Sequence, residues 1–135
     1  MKHVLFLVGL FMVPFCSCNK KDGLVETFHG NLPIVSTNTP ATVAAGQDII
    51  CKVRCELSSI SGSVIFEGFD VTTPTNRQFN VRAKAFYQNW NTQISMPVMM
   101  VLDTSLIITT AITGQYVVNF YNAAQLVKSD TVQVN

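Results

Sequence analysis

From Leu32 onward the chain alternates between stretches rich in Val, Ile, Thr, Phe and Tyr and short clusters of Pro, Gly, Asn, Ser or Asp. No stretch sustains a helical period, so the pattern predicts strands throughout. They are expected at Pro33 to Thr37, Asp48 to Leu57, Ser63 to Val71, Gln78 to Phe86, Ile94 to Leu102, Leu106 to Ala111, Tyr116 to Tyr121 and Leu126 to Val134. The clearest faces are Ile49, Cys51, Val53, Cys55 and Leu57, and Phe79, Val81, Ala83 and Ala85, with mostly charged or amide residues between them. One buried and one wet face per strand is the mark of antiparallel sheets. Strands of this length and spacing predict an all-β, two-sheet antiparallel sandwich of seven or eight strands. Thr73-Pro74-Thr75-Asn76 and Asn89-Trp90-Asn91 are expected to be loops. Asn122-Ala123-Ala124-Gln125 is expected to turn a hairpin that pairs the neighbourhood of Phe120 with that of Val127. Pro97 cannot donate to a ladder, so its strand is expected to be an edge, bulged or short.

The first residues have a different texture. Lys2 precedes an apolar run from Val4 to Val13 that Pro14 closes. The run is shorter than the ~20 apolar residues a bilayer span requires, and it is expected to be a signal peptide. Residues 19 to 30 show one apolar pair, Leu24-Val25, and no periodicity, so they read as a tether. The expected organisation is a signal peptide over 1–17, lipid attachment and tether over 18–31, and one domain over 32–135.

The junction Phe15-Cys16-Ser17-Cys18 resembles the lipobox of bacterial lipoproteins, departing from it at Phe15 and Cys16, where Leu and a small residue are commoner. The resemblance implies cleavage before Cys18 and acylation of that cysteine, with palmitate among the chains. No Asp follows Cys18, which in the family favours the outer membrane over retention at the inner one. The mature protein is thereby expected in the cell envelope, facing the periplasm or the surface. Each buried CH₂ contributes about 0.8 kcal/mol, so two or three chains hold a protein where one does so only marginally.

Removing residues 1 to 17 from the 135 leaves 118, enough for one core and too few for two. The eight acidic residues of the mature chain match its Lys and Arg in number, so no basic face is expected and nucleic acid is an unsuitable partner. Only Cys51 and Cys55 remain for the folded domain. Four residues along a strand separate them by roughly 13 Å, too far for a disulfide. Two buried, unpaired thiols are expected.

Two passages resemble bacterial immunoglobulin-like domains. Thr39-Pro40-Ala41-Thr42-Val43-Ala44-Ala45-Gly46-Gln47-Asp48 is similar to the lead from strand A into strand B. Thr113-Gly114-Gln115-Tyr116-Val117-Val118-Asn119-Phe120 is similar to the E–F corner, with Tyr116 placed like the tyrosine whose hydroxyl bonds back to the corner backbone. The resemblance implies an immunoglobulin-like sandwich over 32–135. Val118 stands where an antibody-type domain has its second cysteine, which points to the wider class of envelope sandwiches.

Candidate chemistry is sparse. The mature chain has one histidine, His29, in the expected tether, and its carboxylates are scattered, so no enzyme and no cofactor are expected. Met96, Met99 and Met100 with Cys51 and Cys55 are soft ligands of the kind copper(I) takes. Met99 and Met100 would point to opposite faces of one strand, so core packing is the stronger reading and no metal is expected. The segment Phe86-Tyr87-Gln88-Asn89-Trp90-Asn91-Thr92-Gln93 combines large aromatics with amides and carries no charge. Tyr87 and Trp90 are expected to stack on a glycan or a peptide, with Asn89, Asn91 and Gln93 fixing orientation by hydrogen bonds. The expected function is a non-catalytic binding or adhesion module for a glycan or protein; an accessory subunit of an outer-membrane complex is the other reading.

Overall fold

The structure, a computed structural model, describes residues 24–58, 62–90 and 99–135. Among them the chain is all-β and forms nine strands: β1 (Leu24–Leu32), β2 (Ile34–Asn38), β3 (Thr42–Val43), β4 (Ile49–Leu57), β5 (Gly62–Thr75), β6 (Gln78–Trp90), β7 (Met100–Ile108), β8 (Gly114–Asn122) and β9 (Gln125–Val134). They build two sheets, as the alternation predicts. The larger runs β1-β6-β8-β9-β3 with β5 added to β6, and the smaller runs β2-β4-β7.

The long strand β6 organises the larger sheet. One edge carries β5; the other is shared, with β1 antiparallel from Ala83 to Trp90 and β8 parallel from Gln78 to Val81. β3 runs parallel to the end of β9, so the larger sheet is mixed where antiparallel pairing throughout was expected: alternation reports one buried face and does not fix strand direction. The core lies between the sheets. Ile49, Cys51, Val53 and Cys55 of β4 supply one wall, and Val81, Ala83, Ala85, Tyr116, Val118, Phe120, Val132 and Val134 supply the other, all buried. The strict alternation of β4 thus has the meaning expected of it.

Chain passes between sheets at Pro33. Leu32 pairs with Ala83 in the larger sheet, and Ile34 pairs with Cys55 in the smaller one. Pro33 has no N–H to continue the first ladder; its carbonyl accepts from the Glu56 N–H at 3.0 Å. Asn122, at the end of β8, ties the crossing: its Oδ1 accepts from the Ile34 N–H at 2.7 Å, and its Nδ2 donates to the Ile34 carbonyl at 3.1 Å. Tyr116 makes the expected corner, its hydroxyl donating to the Ile112 carbonyl at 2.7 Å.

Several expectations are corrected. Residues 24 to 31, expected as tether, form most of β1 and belong to the folded unit. The expected strands Ile94 to Leu102 and Leu106 to Ala111 yield one described strand, β7, which ends at Ile108; Pro97 lies outside the described residues. The polar triplet Asp103-Thr104-Ser105 does not break β7, because it pairs with Arg54, Val53 and Lys52 of β4. The loop expected at Thr73 to Asn76 is reduced to a tight turn at Asn76-Arg77, and Pro74 is accommodated in a register shift between Thr72 and Thr75. Asn89 and Trp90 stand in β6 instead of a loop. Among the described residues the strands number nine: β1 and the short β3 join the eight expected, and two of those eight become the single β7. The turn at Ala123-Ala124 stands as expected, with Phe120 opposite Lys128.

Both thiols are free and buried. Burial, then the nearby Asp103 carboxylate, pushes Cys55 up from 9.0 to about 11. Burial also raises Cys51, against the opposing pull of the Thr39 hydroxyl. The folded state therefore favours the protonated thiol, and this stability is fully present below pH 9 and lost as the pH rises towards 11. Cys55 alone should contribute a loss of about 2 to 3 kcal/mol over that window. Denaturant titrations at increasing pH should show a steeper decline for the wild type than for Cys55→Ala; equal slopes would contradict a buried thiol.

Candidate functional site

The expected aromatic segment is positioned by β6, and its alternation decides what each side chain does. Tyr87 has the parity of Val81, Ala83 and Ala85, so it points into the core and is 6% exposed. Its ring stacks on Phe28 at 4.8 Å between centroids and lies over Gly30, where an added Cβ would meet the ring at 2.9 Å. Its hydroxyl donates to the Asn31 carbonyl at 2.7 Å, and burial holds its pKa above the usual tyrosine value. The expectation that Tyr87 presents a ring to a ligand is corrected: the ring covers a glycine of the neighbouring strand and the hydroxyl is used. Asn89 is half-buried, with its backbone between Glu26 and Gly62. Trp90 ends β6 opposite Leu24; its side chain, with Asn91 and Gln93, lies outside the described residues. Cys18 lies outside them as well.

His29 is placed on β1, not in a tether. Its Nδ1 is 2.9 Å from Glu67 Oε2, and its ring lies 5.0 Å from that of Phe86. The soft-ligand set is divided: Cys51 and Cys55 are in the core, Met99 is 67% exposed, Met100 packs against the core, and Met96 lies outside the described residues. No group of three or more His, Cys, Asp or Glu is placed to hold a metal among the described residues.

The outer face of the smaller sheet offers more. The doublets Ile49-Ile50 and Ile107-Ile108 each put one isoleucine into the core and the other outside. Ile50 and Ile107 are cross-strand partners, 50% and 60% exposed. Next along the face come Lys52 opposite Ser105 and Arg54 opposite Asp103. Arg54 is engaged, its Nε donating to Glu56 Oε1 at 2.8 Å and its Nη1 lying 3.5 Å from Asp103 Oδ2. Lys52 has no ion-pair partner among the described residues. Two open depressions adjoin along this face and share Asn38 and Lys52. One, of about 360 Å³, includes Ser36, Arg54 and Asp103; the other, of about 410 Å³, includes Pro40, Asp48 and Ile50. Together they form a trough in which Lys52 stands between Asp48 and the Arg54–Asp103 pair, with Ile50 at one end; the lysine can receive a carboxylate and the isoleucine an apolar side chain. Sequence reasoning passed over this face, although both isoleucine doublets broke the alternation that predicted the strands.

Part of the outer side of the larger sheet carries a polar row. Asn119 Nδ2 donates to Asn80 Oδ1 at 3.0 Å, and the Ser129 hydroxyl donates to Asn119 Oδ1 at 2.7 Å. These three side chains satisfy one another across β6, β8 and β9.

No known protein family, curated protein or solved structure matches the chain.

Tyr87→Ala should lower stability by about 3 to 5 kcal/mol, as truncation of a large core aromatic does, and also free the Asn31 carbonyl. Chemical denaturation measures it. A change below 1 kcal/mol would return the ring to the surface.

Proposed function

We propose that this chain is a bacterial envelope lipoprotein, cleaved before Cys18 and held by lipid at that residue, whose sandwich is a non-catalytic binding module. The outer membrane is its proposed site, with the domain on the periplasmic or outer surface. The signal-like run from Val4 to Val13 and the Ser17-Cys18 junction support the anchor. The exposed Ile50–Ile107 pair beside the uncommitted Lys52 carries the binding reading. Isolated apolar residues on a surface are ordinary, but a cross-strand apolar pair next to a lysine without an ion-pair partner among the described residues makes a recognition surface. Of the two expected ligand classes, a protein is favoured: the burial of Tyr87 removes one of the two flat rings that would have stacked on a sugar. The partner is a protein segment that presents an apolar side chain next to an acidic one. The edge of β7, which no strand among the described residues pairs with, also favours the second reading, an accessory subunit of an envelope complex.

Metabolic labelling with a fatty-acid probe should mark the wild type and miss Cys18→Ala. Label that survives in Cys18→Ala and disappears in Cys16→Ala would move the anchor to the other cysteine. For the binding face, Ile50→Ser/Lys52→Ser should lose the partners that the wild type retains from envelope extract. Its stability should stay within about 0.5 kcal/mol, because both positions are exposed. Retention of the same partners would remove this face from the proposal.

A further inference from the structure

Exposed sheet edges are templates for pairing, and folded proteins blunt them with bulges, prolines, charge or brevity. Most of the edges here are blunted. β5 shifts register at Gly68, whose φ is +112°, and again around Pro74, and it carries Glu67 and Asp70 with no basic residue. β1 and β2 each contain a register shift, and β3 is two residues long. Along β9, Asp130 and Lys128 reach Thr37 of β2. β7 differs: it pairs with β4 through nine consecutive positions without a shift, contains no Gly or Pro, and has no strand on its other side among the described residues.

The sequence of β7 is also symmetric. Met100-Val101-Leu102, Asp103-Thr104-Ser105 and Leu106-Ile107-Ile108 read apolar, polar, apolar from either end, with Thr104 at the centre. We infer that β7 pairs antiparallel with β7 of a second copy of this chain about a two-fold axis at Thr104, joining two smaller sheets into one. In that register Thr104 faces its own counterpart, and Asp103 faces Ser105 of the second copy, whose hydroxyl can donate to the carboxylate. On the outer face Val101 meets Ile107, and on the core face Leu102 meets Leu106 and Met100 meets Ile108. Cross-strand pairs of this kind stabilise sheets, while like charges placed opposite each other oppose pairing. No like charges meet here: across the joined sheet the row reads Arg54, Asp103, then Ser105 and Lys52 of the second copy. The interface is isologous, as closed dimers require. It leaves the outer face uncovered and extends the apolar pair Ile50–Ile107 by the second copy's Val101. The inference rests on the edge of β7 and stands whether or not that face binds a partner.

The test uses the full-length protein in membranes with a short thiol-to-thiol cross-linker. Thr104→Cys should give a band at twice the chain mass, absent from the wild type, whose two core thiols are buried, and from Thr72→Cys on the edge strand β5. Adding Ile50→Ser/Lys52→Ser should leave the band, which separates edge pairing from partner binding. Adding Ser105→Asp should abolish it, because a carboxylate would then face Asp103 of the second copy. Adding Asp103→Ser to that variant restores an acid opposite a serine and should bring the band back. A Thr104→Cys protein that stays at single-chain mass overturns the inference. So does a cross-link indifferent to Ser105→Asp, or one that the swap fails to restore.

Discussion

The fold depends on one crossing. A single residue, Pro33, separates a strand of the larger sheet from a strand of the smaller, and Leu32 and Ile34 on either side of it are both 1% exposed. A backbone that leaves one ladder for another at a buried position must satisfy its polar groups, since each one left unpaired costs about 1 to 3 kcal/mol. Here Glu56 meets the proline carbonyl, and the side-chain amide of Asn122 meets both the N–H and the carbonyl of Ile34. That amide stands at the end of β8, beside the hairpin turn, so the crossing links the first described strands to the last two. With the crossing fixed, β2 is held against β4 and the two inner faces oppose each other.

This arrangement makes the sheets unequal. The larger sheet packs one side on the core, and the Asn80, Asn119 and Ser129 row occupies part of the other. The smaller sheet has three strands, a solvent-facing side that carries Ile50 and Ile107, and a regular edge at β7. Among the described residues the smaller sheet thus combines an exposed cross-strand isoleucine pair with a regular edge.

Strict alternation was legible in the sequence wherever a strand has one core face and one solvent face, and β4 and the first half of β6 are such strands. β1 was not legible, and the structure shows why. Its inward position at Gly30 has no side chain; Tyr87 of the next strand supplies the ring there, while Phe28 stacks on that ring and stays 43% exposed. The missing period of β1 and the misplaced ligand role of Tyr87 are thus one interaction seen from two strands. The polar centre of β7 looked like a break because its partners Arg54 and Lys52 lie some fifty residues earlier in the chain. The exposed isoleucine pair of the smaller sheet was hidden for a related reason: a doublet such as Ile49-Ile50 reads as a stronger core signal, when only one of its members can enter the core.

Native-state hydrogen exchange at the Ile34 amide addresses the crossing directly. A donor held at 2.7 Å by Asn122 should exchange as slowly as the amides of Val53 and Val118 at the centres of the two sheets, and Asn122→Ala should accelerate Ile34 far more than either of them. If the Ile34 amide exchanged at the rate of free peptide while Val53 and Val118 stayed protected, the crossing would not hold the sandwich together.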